Sequence, residues 1–180
     1  MKRKRKIPLA EQGGNGEAES LEPSLLNYHG VVYYMRAVHN VAVKLAQFEV
    51  EPYGINVTMW VLIRALFHAG SELTQRELVV HAELAQSSIS AQLFLLVKLG
   101  LISVKSSPTD RRKAVYALTA KGRALAKRLE PISVDMGKVA LRGLSAEEIV
   151  LLKTLLPRMR QNLASKIEHS RVHGGGAANR

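Results

Sequence analysis

The stretch of sequence that decides the fold is DRRKAVYALTAKG, residues 110–122. Its middle part, residues 113–118, has the alternating pattern of a strand, and Thr119 belongs to the residue types that cap helices. Just upstream, residues 101–105 (LISVK) predict a second short strand, and residues 106–110 (SSPTD) have the composition of a turn. The segment therefore predicts a β-hairpin with an Asp-Arg-Arg-Lys tip that leads directly into a helix.

Two short helices are predicted immediately before this hairpin. Residues 74–77 (TQRE) form a capping box, in which the threonine hydroxyl and the glutamate carboxylate each bond the other residue's amide, and a short helix follows to about Ala82. Another helix is expected from near Gln86 to Gly100. Two helices joined in this way are a candidate helix-turn-helix, and a helix-turn-helix followed by a hairpin is a winged helix.

Further helices are predicted on both sides of this unit. Apolar residues recur at steps of three and four from Ser24 to Val50, and the next helix, residues 57–69, is apolar nearly all round and should be buried. After the hairpin, one helix is expected to about Leu141 and another over residues 146–167. Pro131 and Pro157 should bend these last two helices.

The expected fold class is mainly α with a small β-hairpin wing, a winged helix-turn-helix flanked by dimerisation helices. The apolar stripes of the outer helices are the basis for expecting dimerisation. The expected segments are a disordered basic and acidic leader (1–23), an N-terminal dimerisation helix (24–53), the winged helix-turn-helix domain (54–119), C-terminal dimerisation helices (120–168) and a disordered tail (169–180).

Positive charge is concentrated in the middle of the chain. The 180 residues carry a formal net charge of +11, yet residues 98–128 alone hold nine Lys or Arg and a single acidic residue, Asp110. Residues 30–97 are close to neutral. A localised basic segment favours a polyanionic partner. The basic run Lys2–Lys6 is either a DNA-binding arm or a solvated tail, and the sequence leaves both open.

Several function classes are disfavoured by the composition. The chain has no cysteine, which excludes a disulfide framework, a thiolate metal site and a cysteine nucleophile. Its six histidines lack metal-ligand spacing, and neither a phosphate-binding glycine loop nor a Gly-x-Ser-x-Gly elbow is present. We therefore expect no enzyme activity, no metal and no cofactor. Without a signal peptide or a membrane-spanning stretch, we expect a cytoplasmic protein.

The sequence resembles the MarR (multiple antibiotic resistance regulator) family of bacterial transcription factors over about residues 24–168. The strongest match is the opening stretch, which resembles the family's wing signature of Asp-x-Arg, an alternating strand and Leu-Thr-x-x-Gly. Supporting matches are Gly54-Ile55-Asn56 with Trp60, Leu73-Thr74 with Glu77-Leu78, Leu99-Gly100-Leu101-Ile102, and Leu144-Ser145-Ala146-Glu147-Glu148.

The resemblance implies a homodimer that binds double-stranded DNA and that lies on the bacterial nucleoid when bound. The fourth helix would enter the major groove and the wing arginine, Arg112, the minor groove, with Asp110 positioning its guanidinium. The alternative for Asp110 is a turn residue that caps its own backbone. The candidate DNA-binding residues are Arg112, Asp110, Arg111, Lys113, Gln86, Ser87, Ser88, Ser90, Gln92, Arg76 and Lys105.

The chain departs from the family pattern in the recognition helix. Residues 85–92 (AQSSISAQ) contain no cation, so serine hydroxyls and glutamine amides would have to contact bases or phosphates. These polar residues could also be only a solvated helix face. Residues 93–97 (LFLLV) are five apolar residues in a row, which predicts that some of them face a pocket or an extra contact. Glu83 stands where the family usually has glycine.

The resemblance also implies regulation by a small organic anion, such as an aromatic acid or its coenzyme A thioester, and hence a link to aromatic compound catabolism. Arginine would offset the anion's charge and aromatic side chains would hold a ring. Core packing or a dimer salt bridge is the alternative role for each of these residues. The candidate effector-binding residues are Tyr33, Arg36, His39, Trp60, Arg64 and Phe67.

The expected function is that of a ligand-responsive repressor at a palindromic operator. Two alternatives remain at this stage. One is a non-specific architectural DNA-binding protein, which would show no sequence preference. The other is an activator that displaces a different DNA-binding protein, which only the operator's position relative to the promoter would distinguish.

Overall fold

The computed structural model describes residues 28–106 and 113–174, and the chain divides into two compact units, Met1–Asn40 and Val41–Arg180. The predicted leader, the wing tip and the last six residues lie outside the described residues. The elements are α1 (Tyr28–Val50), a 3-10 turn (Glu51–Tyr53), α2 (Val57–Ala69), β1 (Leu73–Thr74), α3 (Gln75–Ala82), α4 (Gln86–Lys98), β2 (Ile102–Ser106), β3 (Ala114–Leu118), α5 (Ala120–Ala140) and α6 (Ala146–Gly174). The predicted fold class, mainly α with a small β wing, is confirmed.

Side-chain caps begin four of the helices, and two of these caps, Thr74 and Thr119, were predicted above. The side chain of Asn56 accepts a hydrogen bond from the amide of Met59 at the start of α2, and Thr119 accepts one from Gly122 at the start of α5. Thr74 and Glu77 form the predicted capping box of α3. The amide of Glu148 donates to Ser145 and its carboxylate accepts from the Ser145 amide, which caps α6.

The wing belongs to a three-stranded antiparallel sheet with the order β1–β3–β2. Strands β2 and β3 pair from Ile102 opposite Leu118 to Ser106 opposite Ala114, which confirms the predicted hairpin. The short strand β1 was not predicted. Its two residues pair with Tyr116 and Val115 of β3, so the strand exists only through contacts made some 40 positions later in the sequence.

The core forms around α2, as its all-round apolar pattern predicted. Leu62, Ile63 and Leu66 are almost completely buried. They share one cluster with buried side chains from the elements that follow in the chain, Leu78, Ile89, Leu93, Leu96, Ile102 and Leu129. This cluster packs α2, α3, α4, β2 and α5 together and so fixes the positions of the helix-turn-helix and of the wing strands relative to α2.

The last helix is longer than predicted, whereas α5 ends within one residue of its predicted end near Leu141. Helix α5 continues through Pro131 and ends at Ala140, and α6 continues through Pro157 to Gly174, seven residues beyond the predicted end at Ile167. Proline lacks one amide hydrogen, so it removes a single intrahelical hydrogen bond and need not end a helix. The last residues of α6 extend into the segment predicted as a disordered tail.

Candidate nucleic-acid interface

Helices α3 and α4 are linked by a tight turn and by a direct side-chain contact. Glu83 ends α3 in the left-handed conformation (φ 52°), which is rare for a residue other than glycine. The Gln75 side-chain amide donates to the Ser90 hydroxyl over 2.7 Å, which connects the start of α3 to the middle of α4. In addition, Arg160 of α6 forms a 2.7 Å ion pair with Glu83.

Helix α4 has one buried side and one exposed side. Ile89, Leu93 and Leu96 are buried in the core, so two of the five residues in the apolar run 93–97 serve core packing. The exposed side carries Ser87, Ser90, Ala91, Phe94 and Lys98, whose spacing of three and four residues places them along one stripe. Gln86 is also exposed beside this stripe, and the side chain of Ser88 lies outside the described residues.

Gln92 lies on the other side of α4. Its side-chain oxygen accepts a 2.8 Å hydrogen bond from Asn56, the residue that caps α2. The glutamine is half-buried and fixes α4 against the start of α2. This geometry removes Gln92 from the candidate DNA-contacting face. The sequence contained a usable signal, because Gln92 lies three residues after buried Ile89 and four before buried Leu96.

The candidate cations lie on the elements around α4. Arg76 is exposed on α3, and Lys113 is exposed just before β3. Lys105 of β2 forms an ion pair with Glu72. The predicted tip residues Asp110, Arg111 and Arg112 lie outside the described residues. The last strand pair, Ser106 and Ala114, brings the two ends of that tip side by side.

The glutamate of the capping box is held in its charged form. Hydrogen bonds from the backbone and side chain of Thr74 lower the pKa of Glu77, and His81 and Lys113 lower it further. The ionised carboxylate lies in the first turn of α3, where the helix dipole favours negative charge. The start of the helix-turn-helix is therefore stabilised by an ion at neutral pH, and this contribution weakens only as acid protonates Glu77.

Two of the candidate effector residues are in contact on α2. The guanidinium carbon of Arg64 lies 5.4 Å from the ring centroid of Trp60, a cation–π arrangement. Among the described residues, the buried Nε1 of Trp60 and Nε of Arg64 have no hydrogen-bond partner. Phe67 is half-buried, and its ring packs edge-on against His68. Next to them is a cavity of about 300 Å³, and its lining is Val61, Arg64, Ala65, His68, Ala69 and His81.

The other three candidates, Tyr33, Arg36 and His39, lie on the part of α1 that belongs to the first unit. All three side chains are exposed. Arg36 lies 5.9 Å from the centroid of Tyr33, whose ring also packs edge-on against Tyr34. These contacts form a cation–aromatic cluster within that unit.

Sequence reasoning missed a larger cleft of about 740 Å³. Arg128 of α5 lies 5.3 Å from the ring centroid of Tyr53 in this cleft, and Lys121 also lines it. The Lys121 ammonium donates to the carbonyl of Leu99 over 2.9 Å. The cleft combines residues far apart in the sequence, so no local pattern could have indicated it.

The described ranges, 28–106 and 113–174, contain no group of three or more His, Asp or Glu side chains arranged to hold a metal ion. No helix within them is long and apolar enough to cross a membrane.

These elements define a winged helix-turn-helix protein in which α4, the second helix of the motif, has an exposed side. The MarR family model matches residues 53–113, from the end of the 3-10 turn to the start of β3. The resemblance to MarR-family transcription regulators is therefore confirmed.

Solved structures of MarR-type regulators have the same fold. BpsR of Bordetella bronchiseptica, studied for regulation of its DNA binding by 6-hydroxynicotinic acid, is 24% identical with a TM-score of 0.67, over 73% of this chain and 98% of that one. MepR of S. aureus in complex with DNA is 22% identical with a TM-score of 0.67, over 73% and 96%. A MarR mutant from E. coli with operator DNA is 18% identical with a TM-score of 0.65, over 78% and 99%.

Proposed function

We propose that this chain is a transcription regulator that binds a palindromic DNA operator as a homodimer, represses from it, and is released by a small organic anion. The observation that carries the proposal is the exposed stripe of α4 beside a segment, residues 98–128, with nine cations and one acid. A helix of this kind fits the major groove, and the flanking cations would neutralise phosphates.

The proposed contacts divide by chemistry. Gln86, Ser87 and Ser90 supply neutral hydrogen-bonding groups toward base edges or phosphates, while Arg76 and Lys113 supply charge toward the backbone. Lys105 would exchange its partner Glu72 for a phosphate. The tip residues Asp110, Arg111 and Arg112, and Ser88, complete the set, which no longer includes Gln92.

Replacing Arg112 with alanine is expected to weaken operator binding by about 1–3 kcal/mol. A wing arginine in a narrow, A·T-rich minor groove is attracted by the strongly negative electrostatic potential there, and an alanine has no charge to be attracted. The measurement is a gel-shift titration on an operator selected by the full-length protein from random duplex DNA. If each Arg112 neutralises one phosphate, the plot of log affinity against log salt concentration should be less steep for the variant than for the wild type, by about 0.9 per subunit.

Arg142→Ala is the matched control, because it removes the same charge from the exposed connection between α5 and α6. It should leave both affinity and salt slope unchanged. Equal affinity of the Arg112→Ala and wild-type proteins for the selected operator would contradict the wing assignment.

The proposed homodimer is supported by α6. Its 29 residues extend about 44 Å, and one side carries an exposed apolar stripe. The residues of this stripe recur at helical spacing, and they are Leu152, Leu155, Leu156, Leu163 and Ile167, with exposed fractions of 37–58%. An apolar surface of this length is typical of a protein–protein interface. A second copy covers it in the simplest symmetric arrangement.

The proposed ligand is a small organic anion, of which aromatic acids and their coenzyme A thioesters are the first class to test. Arg64 over Trp60 combines a cation and a ring platform, and both have unpartnered buried nitrogens. BpsR, which shares the fold, is described with 6-hydroxynicotinic acid, an aromatic acid. We propose that the ligand binds preferentially to a form of the dimer in which the two α4 helices no longer match the spacing of the DNA half-sites. Ligand binding would then release the protein from its operator.

We expect an aromatic acid or thioester to raise the melting temperature of the wild-type protein but not of Arg64→Ala. At a hundredfold excess over its Kd, a ligand adds about 2.7 kcal/mol, which for a protein of this size is a shift of about 5–10 °C. The measurement is a thermal-shift screen of such compounds against the full chain.

Arg128→Ala is the control for this screen, since Arg128 lies over Tyr53 in the other cleft at nearly the same distance. If a ligand raises the melting temperature of Arg64→Ala as much as that of the wild type, but does not raise that of Arg128→Ala, the ligand binds in the larger cleft instead. A screen without any stabilising compound would remove support for this effector class.

Non-specific architectural DNA binding is the second candidate function. It is favoured by one observation, namely that residues 86–97 of α4 carry no charged side chain while the cations lie on neighbouring elements. Competition with random duplex distinguishes the two candidates, because a regulator prefers its operator by about three orders of magnitude or more. Activation by displacement of another protein is distinguished by mapping the operator relative to the promoter.

A further inference from the structure

Phe94 is a large aromatic side chain on the exposed side of α4. Its exposed fraction is 69%, whereas Leu93 and Leu96 beside it in the sequence are buried at 1% and 0%. The core cluster therefore leaves this ring out. Of the apolar run 93–97, Phe94 has the largest exposed fraction, and core packing does not explain its presence.

The ring lies on the same stripe as the residues proposed to contact DNA. Ser87, Ser90, Ala91 and Phe94 follow one another at steps of three, one and three residues along α4. From Ser87 to Phe94 the helix rises about 10 Å, close to three base-pair steps. The stripe thus has hydroxyl groups toward the helix start and hydrocarbon, from Ala91 and Phe94, toward its end.

The major-groove edges of the bases offer one apolar group, the C5-methyl of thymine. Alanine and phenylalanine side chains are suited to contact it, whereas the other groups displayed there are hydrogen-bond donors and acceptors. A hydrocarbon surface placed against those polar edges would leave them unsatisfied, which costs free energy. The end of the α4 stripe is therefore complementary to thymine.

We propose that Phe94, together with Ala91, determines operator specificity by packing against thymine C5-methyl groups at a defined position in each half-site. The inference rests on the proposed function, in which α4 lies in the major groove. Residues 86–97 of α4 have no charged side chain with which to recognise a base. Base selection at this position would therefore depend on apolar contact.

The test is the replacement of thymine by uracil, which removes the methyl group alone and keeps the pairing with adenine. An operator is first selected from random duplex by the full-length protein. Each thymine is then replaced in both half-sites, and Kd is measured at constant salt. One buried methyl is worth about fourfold in affinity, so the symmetric pair should cost about fifteenfold at the contacted position.

Phe94→Ala should bind the thymine and uracil operators equally at that position, within about twofold. Val80→Ala is the control, because Val80 is equally exposed at 69% but lies on α3. It should retain the wild-type preference for thymine. Thermal unfolding of Phe94→Ala should match the wild type, since the ring lies outside the core.

Each other outcome overturns the proposal in a recognisable way. A selected operator that tolerates uracil at every position overturns the thymine contact and leaves the proposed function intact. A Phe94→Ala protein that sediments as a monomer assigns the ring to a subunit contact instead. A selection that yields no preferred sequence overturns both this inference and the proposed function.

Discussion

Replacing Gly122 with alanine should destabilise the protein by about 3 kcal/mol or more, the largest effect on folding expected from any single methyl group here. A Cβ atom at this position would lie 1.9 Å from the carbonyl oxygen of Leu101 and 3.0 Å from its carbonyl carbon. Both are backbone atoms, so no side-chain rotation can make room. The first turn of α5 would have to move away from the start of the wing.

Such a movement is opposed by the hydrogen bonds around the contact. The Thr119 hydroxyl donates to the carbonyl of Gly100 over 2.7 Å and accepts from the amide of Gly122, and the Thr119 amide donates to Leu101. Shifting α5 would break this network and leave polar backbone groups unsatisfied. The close approach explains why the Leu-Thr-x-x-Gly segment ends in glycine.

Urea unfolding at pH 7 measures the effect, with loss of any cooperative transition counted as the same result. Gly137→Ala is the matched control on the same helix, because a Cβ there would have no neighbour within 4 Å among the described residues. That change should stabilise the protein by about 0.5–1 kcal/mol through helix propensity. A Gly122→Ala protein within about 1 kcal/mol of the wild type would show that the helix and wing can separate freely.

Features encoded within a few consecutive residues were predictable. The caps at Asn56, Thr74, Thr119 and Ser145 each depend on a side chain and an amide three positions away, and the two that were predicted, Thr74 and Thr119, both form. The hairpin strands follow from alternation. The two-residue strand β1 has no period to detect, and only its pairing with β3 creates it.

The candidate site was predictable in outline and less so in detail. Residue type alone assigned Gln92 to the DNA face, whereas its helical position beside Ile89 and Leu96 places it against Asn56. Conversely, the apolar run 93–97 indicated a pocket or an extra contact for some of its residues, and only the helix period shows that Phe94 lies opposite the core. The two clefts depend on the packing of distant elements, so the pairing of Arg128 with Tyr53 could not be derived from local sequence.

Charging the apolar stripe of α6 should abolish the dimer and, with it, specific DNA binding. In the double variant Leu156→Asp with Leu163→Asp, a symmetric pairing of the stripe would place four carboxylates in an apolar contact, at a cost that hydration of the separate subunits avoids. A monomer engages one half-site only. Operator affinity should therefore fall by about a thousandfold, toward the level of non-specific binding.

Thr154→Asp with Gln161→Asp is the matched control, because both residues are exposed on the opposite side of α6 and add the same two charges per chain. Analytical ultracentrifugation of both double variants gives the oligomeric state, and circular dichroism checks that each remains helical. The stripe variant should sediment as a folded monomer and the control as a dimer with wild-type operator affinity. A stripe variant that stays dimeric would assign subunit contact to another surface, and one that is monomeric yet binds the operator with wild-type affinity would show that a single wing and α4 suffice for recognition.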